Sequence, residues 1–491
     1  MELWMVAIIF IVVFALVLYR KFPIQYVSLA GAAVLILLGI IPVGTALTES
    51  IEWEVIFIYF GYGMLSVLLE ESRLPRALAD AVIPKVHSER DMIFVLSALA
   101  ALLSSFMPNP VVVLMVAPVA LDVANRLKRS PFPYLVSIAI ASNVVTTVSM
   151  VADPPSLILA MATNMTFLDF YWFQGRPGLG TLSILGVLVA LSTLLYLHRN
   201  LNAPLQIQVD QYRVPKGSKI LFVGSIFLGI ACLVLKTWFS PLVLIGILGI
   251  FAALVFFLEP RLAKEDNTGE ATGSANEKRE ILFLAPSAVF VLSVFALILA
   301  PTTPPSGFLG LVSWQGWIGF VLGLLCILTM GQRASQALKE YDWETTLFLL
   351  GIFIVIDSVD RVGILSGLVD IVLKTGLTNP FLVFTLITWL SVALSAFIDN
   401  VPYTVLMIPV CGYFAKTLGI NPYYLYYGML IGTGIGGNIT PVGATANVLA
   451  CGMLEKRGIK IDTLAFMRIS VPFSVSAVLV GQLLVQFFWA K

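Results

Sequence analysis

Two carboxylates stand where carboxylates are costly. Asp153, in A-D-P-P-S, and Asp399, in F-I-D-N-V-P, each interrupt a long apolar run. Charge at membrane depth is expensive and generally functional. Burial raises a carboxylate pKa and a nearby cation lowers it, so each group can trade a proton for Na⁺. Amides and hydroxyls gather in the same runs, and an amide can face an ion of either sign. The candidate ion and substrate site comprises Ser104, Asn109, Asn143, Thr146, Thr147, Asp153, Ser395, Asp399, Asn400, Asn438, Thr440, Thr445 and Asn447, with Ser142 as a further hydroxyl. Asp153 and Asp399 are the coupling carboxylates, and Na⁺ is expected near Asn109, Asp153, Asp399 and Asn400. The bland alternative is that each aspartate caps a broken helix end, and that the Ser and Thr hydroxyls bond back to their own helices. Asp357 and Asp360, beside Arg361 at the end of a span, read as a surface salt bridge.

Other chemistries find little support. His87 and His198 fall in polar connections and read as solvated, and no H-E-x-x-H occurs. Cys232, Cys326, Cys411 and Cys451 are scattered singly and read as packing residues. An intramembrane aspartyl protease using Asp153 and Asp399 lacks a G-x-G-D motif. Net charge is +1, which gives nucleic-acid binding no electrostatic support. No catalytic residue and no cofactor other than a coupling ion, H⁺ or Na⁺, is expected.

These residues must be positioned by membrane-spanning helices. Of 491 residues, 59% are hydrophobic and 12% charged, too few charges to cover a soluble surface of this size. A span needs about 20 mostly apolar residues. Uninterrupted candidates cover 3–19, 24–41, 53–69, 180–197, 220–238, 240–258, 281–299, 313–330, 344–359 and 467–489. The run at 3–19 lacks a basic region before it and reads as a span rather than a signal peptide. Four further stretches are apolar but interrupted. Residues 92–125 break at Met107-Pro108-Asn109-Pro110, and 380–416 at Asp399-Asn400-Val401-Pro402; both read as re-entrant hairpins. Residues 133–165 break around Asp153-Pro154-Pro155, and 422–454 around Gly436-Gly437-Asn438 and Pro441; both read as spans unwound midway. Irregular backbone at that depth is tolerated only inside protein or along a wet cavity.

Charge tests this topology. With twelve crossings, the 29 Lys and Arg divide 23 to 6 between the two faces. The rich face is expected to be cytoplasmic, which puts both termini outside. Residues 259–280 read as a polar, flexible cytoplasmic linker.

The chain also repeats itself. Trp53-Glu54 and Gly61 return as Trp343-Glu344 and Gly351 at offset 290. Ser104, Phe106, Asn109 and Pro118 return as Ser395, Phe397, Asn400 and Pro409 at offset 291. Residues 1–199 form the first repeat, 200–280 two added spans and the linker, and 281–491 the second repeat. Five crossings per half with two between them invert one half against the other, the plan of many secondary transporters.

S-A-F-I-D-N-V-P-Y-T-V-L-M-I-P-V at 395–410, G-G-N-I-T-P-V-G-A-T-A-N-V at 436–448, A-C-G-M-L-E-K-R-G at 450–458 and S-N-V-V-T-T-V-S-M-V-A-D-P-P-S at 142–156 resemble the arsenite permease, NhaD-type Na⁺/H⁺ antiporter and P-protein group. That group lies in the ion transporter superfamily, which includes citrate and dicarboxylate carriers. The resemblance implies an all-α polytopic protein of two inverted repeats, each with a re-entrant hairpin and an unwound helix, arranged as scaffold plus elevator-type transport domain. It implies a homodimer, in the cell or inner membrane of a bacterium or archaeon, with an ATPase subunit as partner if the protein is an arsenite pump. Departures from the group's pattern are Ala152 and Ser156 where G-D-P-P-N is usual, and Val145-Thr146-Thr147 in place of G-G-T.

The expected function is ion-coupled secondary transport of a small inorganic ion or metalloid: arsenite or antimonite efflux, or Na⁺/H⁺ antiport. A carboxylate symporter is the alternative, disfavoured because the core motifs contain no Arg or Lys. A passive channel is the rival from another class, and two occluding hairpins argue against a continuous pore.

Overall fold

The structure is a computed structural model, and it describes the chain apart from residues 1, 20, 73–77, 79–81, 83, 85, 152, 205–211, 214–215, 269–279, 282–283, 302, 307–309 and 491. Of the expected 259–280 linker, 269–279 lie outside the described residues, and 259–268 are helical instead, continuing the span before them. Among the described residues seven helices are long and apolar enough to cross a bilayer, and six shorter apolar helices accompany them. The chain is thus a multi-pass integral membrane protein.

The first half runs through α1 (Glu2–Tyr19), α2 (Ile24–Leu37), α3 (Trp53–Glu71), α4 (Glu89–Ser104), α5 (Asn109–Arg126), α6 (Phe132–Asn143), α7 (Pro154–Ala162) and α8 (Leu179–Leu197). Two inserted helices follow, α9 (Lys216–Leu235) and α10 (Pro241–Thr268). The second half holds α11 (Ala285–Leu299), α12 (Trp314–Met330), α13 (Trp343–Arg361), α14 (Ile364–Lys374), α15 (Pro380–Ser395), α16 (Asn400–Leu418), α17 (Pro422–Gly436), α18 (Thr445–Glu455) and α19 (Thr463–Trp489). A small hairpin, Trp172–Phe173 with Arg176–Pro177, precedes α8. The span expected at 24–41 ends at Leu37, and neither α14 nor the small hairpin was anticipated by the apolar pattern.

The starts of α2 and α12, and of α3 and α13, differ by 290 residues. Those of α4 and α15, α5 and α16, and α7 and α18 differ by 291. The repeats are interlocked: α3 packs most closely on α12 of the other half, and α13 on α2. Glycine permits both approaches. A Cβ added at Gly61 would overlap the carbonyl oxygen of Gly319 on α12, and one at Gly351 would overlap the backbone of Ser28 on α2. The equivalent indoles are tethered alike, Trp53 donating to the Leu47 carbonyl at 2.6 Å and Trp343 to that of Leu338 at 2.6 Å.

Proline and polar caps place the breaks. Asn379 accepts from the amides of Phe381 and Leu382 just before α15, and Asn421 from that of Tyr423 before α17, each with proline at the first helical position. The hairpin turns span 105–108 and 396–399, so Asn109-Pro110 and Asn400-Val401-Pro402 open the returning helices instead of lying in the breaks. The first turn tolerates proline because its missing N–H would be unpaired there anyway.

His198 is a correction. It is buried against α6, with its Nε2 2.9 Å from the Ser137 hydroxyl, and burial pushes it down to about 4. Arg361 does pair with Asp357 at 2.8 Å, and with Glu49 at 2.9 Å. Asp360 instead accepts from the Tyr413 hydroxyl at 2.8 Å. All four cysteines are buried and free.

Two outcomes follow. Gly61→Ala and Gly351→Ala should each destabilise the solubilised protein by about 1–3 kcal/mol, the usual cost of overpacking, read by thermal unfolding in detergent. A histidine with a depressed folded pKa stabilises above its unfolded value near 6.5 and loses that contribution as pH falls toward about 4. The unfolding temperature of wild type relative to His198→Gln should therefore fall across that window.

Candidate functional site

Four interruptions converge at the middle of the fold: the two hairpin turns and the two unwound segments, 148–153 after a 3-10 turn at Val144–Thr147, and 437–444. Each interruption exposes main-chain groups that a lipid environment cannot pair. Side chains from the other elements pair them here. Asn143, at the end of α6, donates to the Gly434 carbonyl at 3.2 Å and to Asn438 Oδ1 at 3.1 Å, and accepts from Asn109 Nδ2 at 3.1 Å. Asn438 Nδ2 in turn donates to the Ile140 carbonyl at 3.0 Å. Asn143 and Gly434 are themselves 291 apart, so the two broken spans meet on the axis that relates the repeats.

Both unwound segments are braced in the same way. Asn447 Nδ2 donates to the carbonyls of Gly437 and Thr440 at 3.0 Å, and Ser156 Oγ donates to that of Thr146 at 2.5 Å. Ser156 and Asn447 are 291 apart, as are Thr146 and Gly437. Ser156, noted in the sequence only as a departure, thus does in one half what Asn447 does in the other. Thr440 Oγ1 donates to the Ala396 carbonyl at 2.6 Å and ties the second segment to the hairpin turn.

The halves differ at the hairpin mouths. In the second half Ser395 Oγ lies 2.5 Å from Asn400 Oδ1 and 2.6 Å from the Thr433 carbonyl, with its one proton shared between them. Their counterparts, Ser104 Oγ and Asn109 Oδ1, are buried without a partner, and so is Thr147 Oγ1. Thr146 and Ser142 bond back to their own helix, to the carbonyls of Asn143 and Ala139, as the structural alternative anticipates.

The aspartates also differ. Asp399 caps α16, accepting from the Val401 amide at 3.0 Å. Asp153 occupies the equivalent cap position of α7 yet makes no capping bond; its neighbour is Thr146. Both line a cavity of about 130 Å³, together with Asn109, Asn143, Asn400 and Thr445. Four helix N-termini face it, those of α5, α7, α16 and α18. Their partial positive charge helps hold two carboxylates at this depth. The structure therefore gathers Asn109, Asn143, Asp153, Asp399, Asn400 and Thr445 on the cavity. Ser395, Asn438, Thr440 and Asn447 stand behind it as bracing for main chain; Ser104 ends α4, and Thr146 and Thr147 lie in the 3-10 turn.

Pattern reading missed the opposite wall. Tyr59 of α3 and Asp342 and Thr345 of α13 close the cavity from the other side. A vestibule of about 810 Å³ shares Tyr59, Pro108, Asp342, Thr345, Asp399 and Thr445 with it and widens toward Lys21, Glu70, Glu340 and Glu344. That is the face rich in Lys and Arg. A sequence signal existed in the repeated Glu52-Trp53-Glu54 and Asp342-Trp343-Glu344. Among the described residues no three His, Cys, Asp or Glu side chains are grouped to hold a metal ion. Amide, hydroxyl and carboxylate oxygens suit a hard cation.

Inverted repeats and broken spans around a polar cavity mark a secondary transporter, not an enzyme. The sequence profile of the citrate transporter family matches residues 12–425, and the chain belongs to that family. It is 25% identical over 468 residues to an uncharacterized transporter of Mycobacterium bovis, covering 94% of this chain and 92% of that one. It is 24% identical over 505 residues to the human P protein, covering 95% of this chain but 57% of the longer relative. The fold is similar to that of the YdaH transporter of Alcanivorax borkumensis, with TM-score 0.52, 15% identity and 99% and 98% of the two chains covered. It is also similar to MtrF of Neisseria gonorrhoeae, an antimetabolite efflux pump, with TM-score 0.54, 12% identity and 100% and 95% covered.

Asn143 is the hub of this site. Asn143→Ala strands its partners in buried surroundings, at roughly 1–3 kcal/mol for each group left unpaired. Both the unfolding temperature and the transport rate should fall, whereas Ser142→Ala should leave both near wild type.

Proposed function

We propose that the protein exchanges a small cation, Na⁺ in the first instance, for protons on Asp153, with Asp399 as the second carboxylate of the site. The carrying observation is the uncapped Asp153 on a cavity that Asn109, whose Oδ1 is buried and unpartnered, also lines, with the unpartnered Ser104 Oγ at the neighbouring helix end. Those oxygens offer a desolvated cation what water would, and a bound cation favours loss of the carboxyl proton. The cavity meets a vestibule on the Lys- and Arg-rich face, so this reading takes the conformation as open to the cytoplasm, with both termini outside. Movement of the hairpins and broken helices as one body against the α2, α3, α12 and α13 scaffold, in a homodimer, would carry the site across.

Carboxylate symport is the second reading. Family membership favours it, as do the four helix N-termini around the cavity, which suit an anion. Against it, no Arg or Lys lines the small cavity among the described residues.

The test uses purified protein in liposomes with an imposed pH gradient. Na⁺ or Li⁺ should dissipate the gradient, and Asp153→Asn should cut the rate by about tenfold or more, the equivalent of about 1.4 kcal/mol. Asp399→Asn, which keeps a capping oxygen, should impair exchange without unfolding the protein. Dissipation by citrate or a dicarboxylate, with Na⁺ inert, would establish the second reading; a response to arsenite alone would defeat both.

A further inference from the structure

The transport-side carboxylates are not the only ones that meet the cavity. Asp342 lies on the scaffold wall at the start of α13. Its Oδ1 accepts from the Thr345 amide at 3.0 Å and its Oδ2 from the Tyr59 hydroxyl at 2.7 Å. These two bonds leave carboxylate lone pairs over, and the residue is exposed to the vestibule. Tyr59 belongs to the first repeat and Asp342 to the second, so their bond fixes the carboxylate where the interlocked halves cross. Among the described residues, Glu70, Glu340, Asp342, Glu344, Asp399 and Lys21 line the vestibule. A carboxylate held at the mouth of a cleft attracts a cation. Two buried oxygens without partners lie along this route, Ser66 Oγ in the vestibule and Asn109 Oδ1 in the inner cavity.

The repeat supplies a counterpart. Asp342 minus 290 is Glu52, the residue before α3. The two share a backbone conformation, φ −75 and ψ 74 for Asp342 and φ −78 and ψ 80 for Glu52. They stand at opposite ends of the scaffold, because α13 and α3 run in opposite directions through the bilayer. Tyr59 has no equivalent, since position 349 is leucine. Glu52 lies instead near Glu54 and Asp357, and burial, with those two charges adding, pushes its carboxyl up to about 7.

We infer that Asp342 and Glu52 are a symmetry-related pair of scaffold carboxylates, each receiving the cation at its own face before the mobile site takes it. Asp342 is in position in the conformation described here, and Glu52 takes the same part when the transport elements have moved to the far side. Neither residue moves with the cargo, so each sets affinity from one side of the membrane. This inference rests on cation exchange as proposed above.

The experiment compares inside-out with right-side-out membrane vesicles, using Na⁺ and Li⁺ as probes and proton movement as the readout. Asp342→Asn keeps the capping oxygen and lets its amide NH2 donate to the Tyr59 oxygen, while removing the charge. It should raise the KM for Na⁺ about fivefold from the vestibule face, leave kcat near wild type, and leave the KM from the other face unchanged. Glu52→Gln should do the reverse, and Asp342→Glu should restore the KM. The Asp342→Asn effect should shrink in about 0.5 M choline chloride, as charge attraction is screened. Unchanged KM values in both variants, with exchange still lost in Asp153→Asn, would overturn the inference and leave the proposed function standing. Equal changes from both faces would also overturn it, marking a purely structural role. A wild type that moves no protons in response to either cation would overturn the proposed function, and the inference with it.

Discussion

Main chain that leaves a helix inside a bilayer must find its hydrogen bonds within the protein. Everything at the centre of this molecule follows from that requirement. Four interruptions would strand N–H and C=O groups at every helix end they create, and no lipid can receive them. The chain meets the demand with short polar side chains borrowed across elements: Asn143 and Asn438 between the broken spans, Asn447 and Ser156 within them, and Thr440 onto a hairpin turn. The result is a rigid polar knot whose spare capacity, rather than its filled bonds, faces the cavity.

The interlocking of the repeats supplies the frame for that knot. Helices α3 and α13 each pack into the opposite half through a glycine at the same point of the repeat. A scaffold built from both halves can stay fixed while hairpins and broken helices, anchored to one another by the asparagine network, shift as a unit. Under the proposed reading this division of labour explains why the bonds among the interruptions are dense. The scaffold meets them at the cavity wall of Tyr59, Asp342 and Thr345, at α3 against α7 and α13 against α16, and through the Tyr413–Asp360 bond.

The carboxylates, asparagines and breaks were legible in the sequence because each is a polar intrusion into an apolar run, and hydrocarbon makes such intrusions costly. The repeat was legible because its offset holds across separate blocks. Break positions were displaced by several residues, since proline and asparagine mark the first turn of a returning helix as readily as the gap before it. His198 was misread because its burial comes from α6, 61 residues earlier in the chain. Asp342 and Tyr59 were invisible for a similar reason: they are 283 residues apart, and only the crossing of the halves brings them together. Ser156 looked like a loss until its bond to Thr146 showed the same brace that Asn447 makes at greater reach.

The serine and asparagine at each hairpin mouth carry a last consequence. In one half Ser395 Oγ and Asn400 Oδ1 are bonded to each other, while in the other Ser104 Oγ and Asn109 Oδ1 have no partner. Under the proposed reading a cation meets unpartnered oxygens in the first half and hydrogen-bonded ones in the second, so the two members of an inherited symmetry are not equivalent to it.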